Sequence, residues 1–354
     1  MRYKFYSQTT QSWEGMLKAI EEARYSIYWE NYILKNDTHP VFNFFHLLKK
    51  KAGAGVKIKI ILDRFGSADL PQKEKQDLEE AGVELLYFDF WFRRTHRKIL
   101  VVDGKIGFLG GVNVGKLYNR WLDLHIRLEG KIVRYLLSSF AKTYKICGGR
   151  DQEVLKFKVI RSIRSESHKV YKVSRVKHWF LEHWPIKGKD KLRKHYGERL
   201  NQASRSIVIV TPYFIPHKWF IKCLEQALSR GVAIEIIIPK KTDYALADFA
   251  NYLFMDSLRH SGIHFFLTQE MLHAKALLID DREGMIGSQN IDALSFDFNV
   301  EAGIFFQRKD MVNSLKKILD GWKKESFSLE NVTFKKRWYH YILEPVAHLL
   351  RPFL

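Results

Sequence analysis

Short runs that are almost wholly apolar and rich in β-branched residues alternate along the chain with longer amphipathic stretches. The runs VKIKIIL (56–62) and VAIEIII (232–238) are too apolar for half-exposed strands and fit central strands that are covered on both faces. The stretches 40–53 and 217–231 each have basic residues and a glycine at their C-terminal end, as helix C-termini commonly do. Strands that alternate with helices predict a layered α/β fold.

The same pattern is written twice. HRKILVVDGKIGFLGGVN begins at His96 and HAKALLIDDREGMIGSQN begins at His273, an offset of 177 residues (273 − 96) that holds without gaps. Seven of the eighteen positions are identical, against roughly one expected from average residue usage. Upstream, GVKIKIILD from Gly55 resembles GVAIEIIIP from Gly231, so each copy reads strand, helix, strand, helix, strand and then the motif strand.

The repeat divides the chain into two similar α/β domains. We place the first at 1–150 and the second at 191–325. The basic, aromatic stretch 151–190 matches nothing in the other copy, so we expect it to be a linker with an insertion near the cleft. Residues 326–354 also lie outside the repeat and read as an amphipathic, basic C-terminal tail.

The residue types of the motif suit chemistry at a phosphodiester. A neutral imidazole is a competent nucleophile toward phosphorus, and a second one can protonate the leaving alkoxide and then deprotonate the incoming alcohol or water. Ammonium groups balance charge on the nonbridging oxygens, and amides complete the cradle without adding charge. One copy supplies half of these groups, so we predict one site, built from both copies, that needs no metal and no cofactor. Its candidates are His96, Lys98, Asn113, His273, Lys275 and Asn290.

Spacing indicates how these side chains are oriented. In each copy the histidine and the lysine lie two apart on a predicted strand, so both share one face, whereas the intervening Arg97 or Ala274 points away. Asp103 and Asp280 complete the motif and enter the candidate catalytic set with it. Their position at the end of a strand nevertheless favours a role in the turn.

An acidic residue follows each motif. Asp123 comes ten residues after the first asparagine and Glu301 eleven residues after the second. A carboxylate bonded to the far nitrogen of a catalytic imidazole fixes its tautomer and raises its basicity, and we assign this role to both. Ser288 joins the supporting set in the second copy, and Gly111 stands at the equivalent position of the first.

The doubled HxKx4Dx6G[G/S]xN frame resembles the signature of the phospholipase D superfamily over nearly the whole chain. FRRTHRKILVVDG, GVKIKIILDRFGSADL, TPYFIP and the GGVN of the first copy look most like the bacterial cardiolipin synthases of the short type without N-terminal transmembrane helices. This resemblance implies two similar phospholipase D-like α/β domains, with mixed sheets flanked by helices. The domains are expected to pack about a pseudo-twofold axis with the motifs at their interface.

The resemblance also implies an activity. Two phosphatidylglycerol molecules would be joined into cardiolipin, with release of glycerol, through a phosphatidyl-histidine intermediate. Precedent in the superfamily favours His96 as the nucleophile and His273 as the acid and base. Gly111 departs from the serine of the second copy, and we interpret it as a subgroup character because synthases of this kind often carry glycine there.

A net charge of +20 indicates an anionic partner, either nucleic acid or an anionic membrane surface. For an enzyme that joins lipids we expect peripheral binding to phosphatidylglycerol-containing membrane, at the cytoplasmic face of the bacterial inner membrane, and no nucleic acid. The N-terminal segment does not resemble a secretory signal, and no stretch approaches the ~18 uninterrupted apolar residues of a membrane-spanning helix. Two distant cysteines indicate neither a disulfide framework nor a zinc site.

Aromatic residues beside basic ones mark the predicted membrane contacts. The segment YFDFWFRRTHRK places them directly before the first motif, and the alternative for it is a core strand with a basic end. The tail contributes a further aromatic, and the alternative there is a segment that docks on the second domain. The predicted contacts are Phe90, Trp91, Phe92, Arg93, Arg94 and Trp338.

Three other function classes fit parts of the pattern. A nuclease of the same superfamily uses the same chemistry, and its positive charge would suit nucleic acid, although the small nucleases usually carry one motif per chain. A phospholipid hydrolase or another headgroup transferase, such as a phosphatidylserine synthase, would keep the lipid substrate. A binder of anionic lipid or RNA without catalysis is the third, and fold alone does not separate these classes.

Overall fold

The structure, a computed structural model, describes residues 1–90, 92–157, 178–185 and 191–329. Its first half is built on one seven-stranded sheet. The strands are Arg2–Gln8 (β1), Ser26–Asn31 (β2), Lys57–Asp63 (β3), Glu84–Phe88 (β4), Ile99–Val102 (β5), Ile106–Gly110 (β6) and Leu122–Glu129 (β7). The helices are Thr9–Glu21 (α1), Phe44–Gly53 (α2), Gln72–Glu80 (α3), Val133–Ile146 (α4) and Gln152–Lys156 (α5).

The second half is built on an eight-stranded sheet. Its strands are His178–His183 (β8), Ser206–Val210 (β9), Ala233–Pro239 (β10), Ile263–Thr268 (β11), Ala276–Ile279 (β12), Glu283–Gly287 (β13), Glu301–Phe306 (β14) and Phe327–Ser328 (β15). The helices are Lys191–Gln202 (α6), Lys218–Ser229 (α7), Ala245–Leu258 (α8) and Lys309–Lys324 (α9).

Strand order repeats between the halves. The first sheet reads β1-β7-β6-β5-β2-β3-β4 and the second reads β8-β14-β13-β12-β9-β10-β11-β15. In both, three parallel strands (β2-β3-β4 and β9-β10-β11) adjoin antiparallel ones. The prediction of two similar α/β halves with mixed sheets and flanking helices is confirmed, and the predicted order of strands and helices in each copy is the observed one.

The stretch 151–190 is not wholly an insertion. Within it, β8 pairs antiparallel with β14 from His183–Glu301 to His178–Phe306. It thereby takes the edge position that β1 takes beside β7, and α6 follows β8 as α1 follows β1. The expectation that nothing here matches the other copy was wrong, because the two edge strands share pairing geometry and share no recognisable sequence pattern. Residues 158–177 and 186–190 lie outside the described ranges.

One of the hydrophobic cores spans the two halves. It contains Phe140 of α4 and Ile126 of β7 together with Ile304 of β14 and Leu315 of α9. Burial of apolar surface is the main driving force for association, so this shared core fixes one half against the other. The sheet edges that carry the two motifs are therefore held in a fixed position relative to each other.

Arg97, which lies within the first motif, forms ion pairs with carboxylates of both halves at this interface. It is fully buried, and its Nη2 lies 2.9 Å from Glu30 Oε1 while its Nη1 lies 2.9 Å from Glu182 Oε1. Glu30 belongs to β2 and Glu182 belongs to β8 of the other half. The side chain thus points away from the motif face, as its strand spacing predicted, and joins the two sheets.

We expect Arg97→Ala to lower the free energy of unfolding by about 3–5 kcal/mol, because it leaves the carboxylate of Glu30 buried and uncompensated. Urea unfolding followed by circular dichroism measures this loss. The control is Arg64→Ala, which removes an exposed ion pair with Asp89 of 3.0 Å and should cost at most about 1 kcal/mol. Equal losses for the two variants would contradict the interpretation.

Candidate active site

The two halves are joined by main-chain bonds directly beside each motif histidine. The backbone N–H of His96 donates to the carbonyl of Val300 at 3.0 Å, and the N–H of Val300 donates to the carbonyl of Arg94 at 2.8 Å. In the other half, the N–H of His273 donates to the carbonyl of Leu122 at 2.7 Å. Both motifs are therefore fastened to the opposite half by the same kind of bridge, as a pseudo-twofold arrangement requires.

Each motif histidine is bonded to a carboxylate from the opposite half. His96 Nδ1 lies 3.1 Å from Glu301 Oε1, and His273 Nδ1 lies 2.8 Å from Asp123 Oδ2. All four side chains are buried. An ionised carboxylate only accepts hydrogen bonds, so each Nδ1 carries the proton and each Nε2 keeps its lone pair for a ligand. The sequence predicted carboxylates in this role but did not show that the two pairs cross between the halves.

The two lysines are placed by their own histidines. Lys98 Nζ donates to the carbonyl of His96 at 2.6 Å, and Lys275 Nζ donates to the carbonyl of His273 at 2.5 Å. Both lysines are 1% exposed. An ammonium group has three N–H donors, so each one retains donors for an anion. The predicted common face of His and Lys is thus present in both copies.

Asn113 and Asn290 each leave a buried amide oxygen without a hydrogen-bond partner. Their main chains are already fixed, since the carbonyl of Asn113 accepts from Trp13 Nε1 at 2.9 Å and the N–H of Asn290 donates to Ser295 Oγ at 2.9 Å. A buried polar atom left without a partner is costly. These two oxygens are therefore acceptors that are available for a donor group of a ligand, whereas the predicted role as phosphate donors stays a prediction.

Burial and the neighbouring ammonium groups set the protonation of the site. Burial and the charge of Lys98 together lower the pKa of His96 to about 4, against the opposing effect of Glu301. Burial also lowers the pKa of Lys275 to about 8, and burial together with Lys275 holds the pKa of Lys98 well below its ordinary value. At neutral pH His96 is consequently an uncharged imidazole, as a nucleophile must be.

Asp103 and Asp280 do not belong to the reacting groups. They follow β5 and β12 at the end opposite to the histidines, and both have a left-handed backbone, with φ of 52° and 53°. Asp103 accepts backbone N–H bonds from Arg24, Tyr25 and Ser26, and Asp280 accepts the equivalent bonds from 204–206. Their inclusion in the catalytic set was wrong, and the role in the turn is the observed one.

Gly111 leaves room for the carboxylate that holds His273. The N–H of Gly111 donates to the carbonyl of Leu124 at 2.9 Å, in the same way as the N–H of Ser288 donates across its strand pair. A Cβ atom at position 111 would approach Asp123 Oδ1 to under 3.0 Å, a distance that Cβ atoms do not tolerate. In the second copy the hydroxyl of Ser288 instead donates to Glu301. The first copy thus combines Gly111 with Asp123, and the second combines Ser288 with Glu301.

Sequence reasoning missed two aromatic side chains that pack on the histidines. The ring of Tyr32 lies 4.9 Å from that of His96, and the ring of Trp121 lies 5.3 Å from that of His273. Tyr32 directly follows β2 and Trp121 directly precedes β7, at the sheet edge where the motif histidines lie. It also missed Asp292, which is buried beside the second motif where the first copy has Gly115.

The predicted membrane contacts have different surroundings. Phe90 is half-buried, with its ring 4.7 Å from that of Phe88, so it belongs in part to the core. Arg93 and Arg94 are half-buried and Phe92 is 72% exposed. Trp91 and Trp338 lie outside the described residues.

The comparisons with known proteins agree with this geometry. A family profile described as "Cardiolipin synthase, PLD-like domain" matches residues 16–140 and 196–322, one match in each half. The minor cardiolipin synthase ClsB of Bacillus subtilis is 30% identical, over 92% of this chain and 82% of its own. The chain belongs to the cardiolipin synthase, phospholipase D-like family. It is therefore an enzyme of the phospholipase D superfamily, of the phosphatidyltransferase type.

A second relative and a solved structure agree with this family and this fold. Cardiolipin synthase A of Pseudomonas putida is 31% identical to this family member, over 87% of the chain and 65% of the relative. The crystal structure of a phosphatidylserine synthase from Haemophilus influenzae superposes with a TM-score of 0.77 at 14% identity, covering 99% of this chain and 95% of that one. At this identity the superposition establishes the fold of two packed phospholipase D-like domains.

We expect Gly111→Ser, which introduces the residue that the second copy has at the equivalent position, to lower kcat/KM by about 10- to 100-fold. The new Cβ displaces Asp123 and so misplaces His273. Adding Asp123→Glu to this variant should recover about tenfold, because it recreates the serine–glutamate pair of the other half. Steady-state kinetics on these two variants and on Asp123→Glu alone measure this cycle. Ser288→Gly removes a hydrogen bond without a clash and should lose less; an active Gly111→Ser enzyme would refute the steric argument.

The pKa values of the free enzyme predict a bell-shaped dependence of kcat/KM on pH. The acid limb should lie near pH 4, where His96 gains a proton. The alkaline limb should lie at or below about pH 8, because His273, whose pKa burial lowers, and the buried lysines lose their protons in that range. Initial rates between pH 3.5 and 9.5 test this. Activity that stays constant through pH 9 would contradict the assignment of the lysines.

Proposed function

We propose that the enzyme joins two phosphatidylglycerol molecules into cardiolipin and glycerol through a phosphatidyl-histidine intermediate. The observation that carries this proposal is the pair of crossed histidine–carboxylate bonds, which leaves two Nε2 atoms and two lysines on one buried interface. That arrangement supplies a nucleophile, an acid and base, and two cations to a single phosphodiester. The lipid substrate is supported by the family and by relatives that are named cardiolipin synthases.

In the first step His96 Nε2 attacks the phosphorus of one phosphatidylglycerol. The phosphorus–oxygen bond to the headgroup glycerol breaks. His273 takes up a proton when the anionic phosphodiester binds, because the added negative charge favours its protonated form, and it gives this Nε2 proton to the leaving oxygen. Glu301 stabilises the positive charge that His96 acquires, because its carboxylate lies 3.1 Å from Nδ1. The product of this step is a phosphatidyl group on His96 and free glycerol.

In the second step a hydroxyl of another phosphatidylglycerol attacks the same phosphorus. His273, now neutral, takes the proton of that hydroxyl, and the phosphorus–nitrogen bond to His96 breaks. Asp123 lies 2.8 Å from His273 Nδ1 and raises the basicity of the ring for this task. Water in place of the lipid hydroxyl would give phosphatidic acid, so transfer requires that the lipid acceptor reach the site before water does.

The lysines hold the phosphate through both steps. Burial lowers the pKa values of Lys98 and Lys275, and an anionic phosphodiester between them favours their protonated forms. The unpaired amide oxygens of Asn113 and Asn290 are acceptors, so they suit a hydroxyl of the headgroup glycerol and not the anionic oxygens of the phosphate. Since the charged donors are already in place, little reorganisation is needed as charge develops on the nonbridging oxygens.

We further propose that the enzyme acts as a peripheral protein at the cytoplasmic face of the bacterial inner membrane. Among the residues that the structure describes, no helix is long and apolar enough to cross a bilayer. The net charge of +20 favours an anionic leaflet. Nucleic acid carries the same charge, so the test of function includes it.

The test is one incubation of purified enzyme, with chelator present, on phosphatidylglycerol vesicles and in parallel on single-stranded DNA. We expect cardiolipin and glycerol in equal amounts, and intact DNA. His96→Ala and His273→Ala should each lower turnover by at least about 10³-fold, because neither step proceeds without its group.

The control is Tyr25→Ser, an exposed change at the opposite edge of the sheet, which should keep normal turnover. Phosphatidic acid as the only product would replace the transferase by a hydrolase, and cleaved DNA would replace it by a nuclease. Near-normal activity of either histidine variant would overturn the two-histidine mechanism.

A further inference from the structure

The exposed apolar side chains of the chain are concentrated at one edge of the molecule. Among the described residues, eight large apolar side chains are strongly exposed. Five of them lie on loops at the edge of the sheets where the motif histidines lie. We name these five the site rim: Val41 (75% exposed), Phe65 (65%), Phe92 (72%), Leu117 (65%) and Tyr244 (56%).

Sheet topology explains why these loops share one edge. Strands β2, β3 and β4 are parallel, so their C-terminal ends point the same way. Strand β5 runs antiparallel to β2 and begins at that edge, directly after Lys98, and β6 returns to it. The four loops that leave or enter there are 32–43, 64–71, 89–98 and 111–121. Each of them carries one residue of the site rim, and Tyr244 follows β10 in the second half.

Contacts between neighbouring loops make the rim continuous. The guanidinium of Arg94 lies 4.3 Å from the centroid of the Phe65 ring. Lys35 Nζ lies 3.0 Å from Asp69 Oδ2, which joins the loop of Val41 to the loop of Phe65. The loops that carry Val41, Phe65 and Phe92 thus form one surface at the edge where the motif histidines lie.

The charges of this surface are predominantly positive. Its four first-half loops contain three carboxylates, and each is engaged: Asp37 with the N–H of Lys116 at 2.7 Å, Asp69 with Lys35, and Asp89 with Arg64 at 3.0 Å. Exposed cations stand beside them at Arg120, Lys240 and Lys241. Apolar side chains interspersed with cations suit the headgroup region of an anionic bilayer.

Phe92 adds an independent observation. Its backbone is left-handed, with φ of 61°, a conformation that is unfavourable for a bulky residue. Strain of this kind persists where the surrounding structure imposes it, and it is concentrated at functional sites. Here the left-handed backbone belongs to an aromatic residue that is 72% exposed.

We propose that the site rim is the surface by which this enzyme docks on an anionic lipid bilayer, with its five side chains among the headgroups. This inference rests on the proposed function, since it is the lipid substrate that requires the site entrance to face the membrane. Docking in this pose brings the phosphates of the outermost lipid layer to His96 and excludes water from the entrance. It also explains why four separate loops each expose one apolar residue.

The test compares Phe65→Ser and Phe65→Ser/Leu117→Ser with Tyr25→Ser. Tyr25 is 66% exposed, as Phe65 is 65%, but lies at the opposite edge. Co-sedimentation with vesicles of phosphatidylglycerol and phosphatidylcholine should show binding weakened about tenfold or more for the double variant, less for the single one, and unchanged for Tyr25→Ser. Binding that is equal for all variants, or weakened equally by Tyr25→Ser, would overturn the proposal.

A second readout separates this proposal from the proposed function. With dihexanoyl-phosphatidylglycerol below its critical micelle concentration, the rim variants should retain turnover within about twofold, because no bilayer need be bound. If the unaltered enzyme makes no transfer product, the proposed function fails while the vesicle measurement still tests the rim. If light scattering shows that the unaltered enzyme is a dimer and the double variant a monomer, the rim is an interface between copies and not a membrane surface.

Discussion

The crossed bonds between histidine and carboxylate are the constraint on which the rest of the structure depends. His96 takes its partner Glu301 from the second half, and His273 takes Asp123 from the first. Neither half alone can fix the tautomer of its own motif histidine. The shared core between α4 and α9 and the main-chain bridges beside each histidine are what keep the pairs together. Duplication here has produced two mutually dependent halves of one site.

Symmetry between the halves is broken where the chemistry needs two different histidines. The carboxylate beside His96 is glutamate and also accepts from Ser288, so its charge is shared between two side-chain donors. The carboxylate beside His273 is aspartate, and Gly111 gives it room. Asp123 also accepts the backbone N–H of Leu124 at 2.7 Å, so each carboxylate accepts a bond besides that of its histidine. The two halves differ in the kind of this second donor, which is a hydroxyl beside His96 and a main-chain amide beside His273.

Much of the site could be predicted from the sequence because it depends on residues that are close to one another along the chain. The two His–Lys pairs follow from strand periodicity, and the carboxylate role of Asp123 and Glu301 follows from chemistry and spacing. The crossing of these pairs could not be predicted, since it depends on the packing of two sheets far apart in sequence. Strand β8 was missed because edge strands are fixed by backbone pairing, which leaves little trace in residue type. Asp103 was assigned to the catalytic set because it belongs to the motif by sequence. In the fold it lies at the opposite end of β5 from His96, so the strand separates the two side chains.

The most direct test of the crossed pairs is the nitrogen NMR spectrum of enzyme with ¹⁵N-labelled histidine. At neutral pH both motif rings should be uncharged, with the proton on Nδ1 and a bare Nε2. Asp123→Asn should change the tautomer of His273 and leave that of His96 unaltered, and Glu301→Gln should do the reverse. If each substitution instead altered the histidine of its own half, or neither, the composite site described here would be wrong.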